Sequence, residues 1–323
     1  MSSVSIAEFR MSTNTPLKWL FLVFLVLAPA AEINGQQLPI TALSLLPSGQ
    51  LLTGSDDGLW IHDETTLKPI KRIATDIEKI YSIRISPDQT SFAISGGTPA
   101  ELGVVEVFST KTFDSTHEFG RFNDVATDCV WISQDQLIAC SMTGNCCLMP
   151  LSNEKTAPFN VHSKGILGIA VLSSGNNLVT AGLDNTIGVW EMGKHKQLRV
   201  LNNHVDVVNQ IAARPSVPRT AQAMMVSVSD DATVRFWHPK IGRMVRFARL
   251  DSIPTCVVWN RAGTRAVVGS RSGQVYLVDP AMADVVQTVS STGWINCLAL
   301  SPDEKSVLIG GESGLVRLGI PSR

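Results

Sequence analysis

Two histidines, two aspartates and two hydroxyls recur at matched positions in the middle of the chain. His162, Thr180, Asp184 and Trp190 return as His204, Ser227, Asp231 and Trp237. In both sets the hydroxyl stands ten residues before the tryptophan and the aspartate six before it. A histidine between a carboxylate and a hydroxyl is the constellation of nucleophilic hydrolysis. The same atoms also make a closed hydrogen-bond chain: the imidazole donates to Asp, the hydroxyl bonds the imidazole, and the indole N–H meets the hydroxyl. Such a chain satisfies every buried polar group and stiffens what it ties together. Duplication at equivalent places, with the hydroxyl expected inside a sheet, favours two structural tetrads over a catalytic triad. No catalytic residue is assigned.

Seven copies of one pattern position these groups. From Ile40 to Ile320 the chain repeats a strand, a Ser/Pro/Asp/Gly turn, a second strand, a tight polar turn and a third strand. First turns centred near Leu46, Ser86, Ser133, Ser173, Arg214, Asn260 and Ser301 are spaced by 40 to 47 residues. That period, filled by four short strands, predicts an all-β, single seven-bladed β-propeller of four-stranded antiparallel blades. Blades are expected over 40–73, 80–119, 125–161, 166–201, 207–250, 254–290 and 295–320. Insertions at 97–103 and 215–220 carry glycines and prolines that push extra length to the rim. The last repeat lacks a fourth strand of its own. It is either incomplete or closed by the segment Ala31 to Gln37 from the N-terminal side.

The 323 residues carry 44% apolar content and a net charge of −1. Lys and Arg are scattered among Asp and Glu, so no nucleic-acid partner is expected. Residues 1–30 read as a secretory signal peptide: Arg10 and Lys18, an apolar run from Trp19 to Ala28, then Pro29-Ala30-Ala31. Ala28-Pro29-Ala30 offers one cleavage point and Gly35 marks a second, with Met11 an alternative start. The folded domain then occupies 31–323, exported to a periplasmic or extracellular location. Membrane contact arises only if the leader is retained as an anchor. The six cysteines show no clear disulfide framework; Cys129, Cys256 and Cys297 read as packing residues, while a Cys140–Cys146 bridge stays open. No cofactor or metal is expected.

In blades four and five the fragments Asp184-Asn185-Thr186-Ile187-Gly188-Val189-Trp190-Glu191 and Asp231-Ala232-Thr233-Val234-Arg235-Phe236-Trp237-His238, each with its upstream histidine, resemble WD-repeat β-propellers. Glu191 and His238 stand where that family usually places Asp. His62, Phe108, Met149, Val278 and Gly319 fill the tryptophan position in other blades. The resemblance implies a rigid, non-catalytic platform for a protein or peptide partner.

Loops that lead into the inner strands should ring one end of the channel. They offer Lys79, Tyr81, Asp124, Thr127, Lys164, Asp206, Asn209, Trp294 and Asn296 as a partner-binding face. Trp294, after Ser291-Thr292-Gly293, is either an exposed anchor or a cover for the loop between blades six and seven. Trp131 and Trp259 read as inter-blade core. The leading function is an exported scaffold supporting an extracytoplasmic complex. The alternative is an extracytoplasmic propeller hydrolase acting on a lactone or glycan, with groups converging from several blades.

Overall fold

Short runs of Val, Ile, Leu and Ala broken by Asp, Ser, Pro and Gly turns give strands of five to eight residues almost throughout. The computed structural model describes residues 38–152, 154, 156–172, 177–215 and 223–321. The expected signal peptide at 1–30 and the closing strand at 31–37 lie outside them. The described strands make seven antiparallel sheets, in each of which the strands pair in chain order. Six sheets have four strands and the last has three. Among the described residues no helix is long and apolar enough to cross a membrane.

The seven innermost strands are Ile40–Leu45, Lys79–Ile85, Ala126–Ser133, Ile166–Val171, Val208–Ala213, Pro254–Trp259 and Ile295–Leu300. Each neighbours the next, and the seventh neighbours the first, which closes a ring. Apolar packing follows the same circle, because a blade must bury both faces. There is one hydrophobic cluster at every blade junction. Among the described residues the junction of blades 7 and 1 is the thinnest, with Ile40, Leu43, Leu51, Leu308 and Leu315 as its buried members.

Blade limits fall within a few residues of those expected. The 97–103 insertion differs: it lengthens a hairpin rather than leaving the sheet. Its flanking strands, Ser91–Thr98 and Leu102–Ser109, run to eight residues each. Glycine permits this. A Cβ on Gly97, at φ +132°, would sit 1.9 Å from the Leu102 carbonyl oxygen, where no side chain fits. Residues 216–220 of the other insertion lie outside the described set.

Every innermost strand carries one β-bulge near its start. The extra residues are Thr41, Tyr81, Thr127, Leu167, Asn209, Thr255 and Asn296. A bulge re-aims one side chain out of the alternating pattern, and in five of the seven it reaches the next blade. Thr41 donates to the Ile80 carbonyl, Thr127 to that of Ile166 and Thr255 to that of Ile295. The Asn209 amide donates to Pro254 O at 2.9 Å and the Asn296 amide to Ile40 O at 3.0 Å. Two tryptophans add the same kind of tie: Trp131 Nε1 donates to Arg84 O at 2.9 Å and Trp259 Nε1 to Ala212 O at 3.1 Å.

Candidate functional site: the tetrads and the channel mouth

In blade 4 the His162 Nδ1–H donates to Asp184 Oδ1 at 3.0 Å. The Thr180 hydroxyl lies 2.8 Å from His162 Nε2 and accepts from Trp190 Nε1 at 3.0 Å. Blade 5 repeats the chain with every link at 2.8 Å: His204 to Asp231, Ser227 to His204, Trp237 to Ser227. These directions assign the Nδ1–H tautomer to both imidazoles. Asp184 also accepts from the Thr186 hydroxyl, and Asp231 from the Thr233 hydroxyl and from Arg235. The middle strand, the third strand and the loop before the blade are thereby fastened together. Gly188 makes room for the first network, since a Cβ there would lie 2.3 Å from Trp190 Nε1.

Electrostatics follow from this wiring. Burial opposes ionisation of Asp231, but bonds from Thr233 and His204 outweigh it and hold the carboxyl down at about 2. Asp184 is lowered in the same way, by Thr186 and His162 against its burial. Burial pushes the His204 imidazole below its ordinary range, and Asp231 offsets part of that push. Thr180 and Ser227 are fully buried. A hydroxyl held inside a sheet by an indole N–H has no approach path for substrate. In both tetrads the His–Asp–hydroxyl groups are spent on one another. Among the described residues no group of three or more His, Cys, Asp or Glu is placed to hold a metal ion.

Other blades keep fragments. In blade 1 Thr53 Oγ1 lies 3.2 Å from His62 Nδ1, both groups buried, and burial lowers the His62 pKa. Cys140 and Cys146 face each other in register as free thiols, and burial holds Cys140 well above the usual thiol range.

At the channel mouth the expected face divides. Asn209, Asn296 and Thr127 are the bulge residues that tie blades together, so their polar groups are engaged within the ring. Asp124 accepts from the backbone N–H groups of Ala100 and Val125, at 2.8 and 2.7 Å. Lys79 pairs with Asp56 at 3.4 Å, and half-buried Tyr81 lines the channel. Lys164 and Asp206 are exposed.

Trp294 is 46% exposed and is held in place. The Arg271 guanidinium lies 5.0 Å from its ring centroid, and Arg271 is anchored by both oxygens of Asp230 at 2.9 and 3.0 Å. Its own backbone N–H donates to Glu312 at 3.1 Å.

Sequence reasoning missed Arg271, Asp230 and Glu312, which belong to second turns at the same end. It also missed Val205, 79% exposed beside the tetrad histidine. Inside the channel, a cavity of about 370 Å³ touched by all seven inner strands, Asp128 accepts from Ser82 at 2.6 Å and from Arg84 at 2.8 Å. A charged residue in each of two adjacent apolar strands was the available signal.

A family model described as WD domain, G-beta repeat matches residues 28–61, 153–191 and 284–318. Among similar proteins, the methylosome protein WDR77 of Xenopus laevis is 26% identical over 171 residues, half of each chain. Telomerase protein component 1 of Rattus norvegicus is 26% identical over 213 residues, 64% of this chain and 8% of that one. THO complex subunit 3 of Arabidopsis thaliana is 22% identical over 135 residues, 41% of this chain and 42% of its own. The match thus spans half or less of these relatives' length.

These likenesses correct the expected location. An exported, periplasmic or extracellular protein, whether scaffold or lactone- or glycan-cleaving hydrolase, is overturned. The relatives are named for a methylosome, a telomerase and a THO complex, none of them an exported assembly. An apolar run of ten residues before a propeller was too slight a basis for assigning a compartment. Closed ring, seven meander sheets, paired tetrads and model match together make the chain a member of the WD40-repeat β-propellers.

Proposed function

We propose that this propeller is a non-catalytic scaffold that holds protein partners in a multiprotein complex, the general work of WD40 domains, and that it does so through its channel-mouth loops. The single observation that carries the reading is Trp294. A half-exposed indole pinned by Arg271 and Glu312 presents apolar area already ordered, so little freedom is lost on binding. Val205, Lys164 and Asp206 supply further exposed groups on loops leading into inner strands.

The test is affinity capture from the native host with the intact chain and with Trp294→Ala. The variant should stay folded with an unfolding midpoint close to wild type, because the indole is half exposed and belongs to no core cluster, while recovery of the specific partners falls about tenfold or more, as for an anchoring tryptophan. Equal recovery from both proteins would reject this face.

A further inference from the structure

The near-neutral total charge hides a local excess. In the hairpins that end blades 4 and 5, residues 191–201 and 238–249, seven Lys and Arg stand against Glu191 alone. The corresponding hairpin of blade 6, residues 279–290, has two Asp and no Lys or Arg. Glu191 is taken by Lys194 at 2.8 Å. Lys196, Arg199, Lys240, Arg243, Arg246 and Arg249 are all exposed, and among the described residues none of the six forms an ion pair.

The two hairpins form one surface. Arg199 Nε donates to the Lys240 carbonyl oxygen at 2.9 Å, bridging the outer strand of blade 4 to the last turn of blade 5. Aliphatic and aromatic groups lie among the cations: Leu198, Val200 and Phe247 are 43%, 50% and 51% exposed. The strands that carry them, Lys196–Leu201 and Arg243–Arg249, are outermost in their sheets. One edge of each therefore presents backbone N–H and C=O groups to an incoming strand.

We propose that this rim docks an acidic, extended segment of a partner protein, with carboxylates meeting the arginines and alternate apolar side chains meeting Leu198, Val200 and Phe247. Arginine forks suit carboxylates, and an unpaired edge accepts a strand by backbone bonding. The same charges repel another cationic edge, so an acidic segment is selected over self-association. Nucleic acid fits less well. Single-strand binding needs successive free aromatic platforms, whereas the Arg235 guanidinium is already 5.5 Å from the Phe247 ring centroid and the His195 ring is stacked on Phe159 at 4.0 Å. The rim is separate from the channel-mouth loops, so either surface can fail without the other.

Fluorescence anisotropy with a labelled peptide alternating glutamate and leucine tests the proposal on the full chain. The wild type should bind, more weakly as ionic strength rises. Arg246→Glu combined with Arg249→Glu should weaken binding about tenfold, the sum of several screened pairs. Arg246→Lys with Arg249→Lys should retain most of it, and Trp294→Ala should leave it unchanged. Unfolding midpoints of all variants report whether the ring is intact. The proposal is overturned if the peptide fails to bind, or binds the glutamate variant equally well. It is overturned too if oligouridylate RNA or phosphatidylserine vesicles show this charge-dependent binding and the peptide does not.

Discussion

Blades 4 and 5 hold themselves together with buried polar networks, whereas blades 2 and 3 fill the same places with apolar groups. At the tryptophan position blade 5 has Trp237, tied to Ser227. Blade 3 has Met149, equally buried and surrounded by Leu137, Val107 and Ala139. Both solutions make a four-stranded sheet with two buried faces. They differ in what they fix beyond it: in blade 5 the network reaches out through His204 to the loop before the blade, whereas the Met149 side chain in blade 3 packs in an apolar cluster. Apolar packing sets the body of a blade, and the polar chain sets the loop at its mouth. The inter-blade bonds from the bulges are a third device, shared by blades of both kinds.

The largest expected effect breaks this comparison directly. Trp237→Ala should destabilise the protein by about 3–5 kcal/mol and Met149→Ala by about 2–5 kcal/mol, read by urea unfolding. Hydrogen exchange should separate the two more sharply. Trp237→Ala should raise exchange at residues 204–207, while Met149→Ala leaves loop amides protected. Equal loop protection in both would mean that the network fixes nothing outside its sheet.

Acid provides a milder probe. The His204 pKa is lowered from 6.5 in the folded state, so the unfolded chain takes up its proton first. Stability from this group is full above about 6.5 and declines as pH falls below it. Asp231, lowered from 3.8 to about 2, adds a second loss as pH falls through that interval. In His204→Gln the upper decline should shrink in a pH series of unfolding midpoints to the part left by His62, whose pKa burial also lowers. An unchanged profile would show that His204 is not the group responsible.

The smallest effect sharpens the picture with a gain. Leu167 occupies the bulge in blade 4 where three other blades have threonine. Leu167→Thr supplies the missing donor toward the first residue of blade 5 and should stabilise by about 0.5–1 kcal/mol. A loss of stability would mean that packing at this junction outweighs the bond.

Blade number, blade limits and the two tetrads were legible because each rests on spacing within one blade. Asn209 and Asn296 were read as loop-face groups because strand alternation counts residues in twos, and a single bulge reverses the side that follows. Nothing local marks that reversal. The Arg84–Asp128 pair was hidden for a related reason: its members lie on neighbouring inner strands, 44 positions apart in the chain. Compartment was misread because leader-like hydropathy says nothing about the propeller that follows. The basic rim was present in the sequence all along, but it emerges only when charge is counted hairpin by hairpin.

The bulge bonds all point from one blade to its successor, and the Asn296 bond to Ile40 joins the seventh to the first. During synthesis the early joints can form as soon as two consecutive sheets have emerged, but this last one must wait for nearly the whole chain. Among the described residues it is also the joint with the least apolar material. A ribosome-bound product six blades long therefore has two raw faces, and chaperone occupancy should concentrate there. Moving the termini to the gap between blades 4 and 5 would place the weakest latch inside continuous polypeptide and leave a better-packed junction to shut the circle.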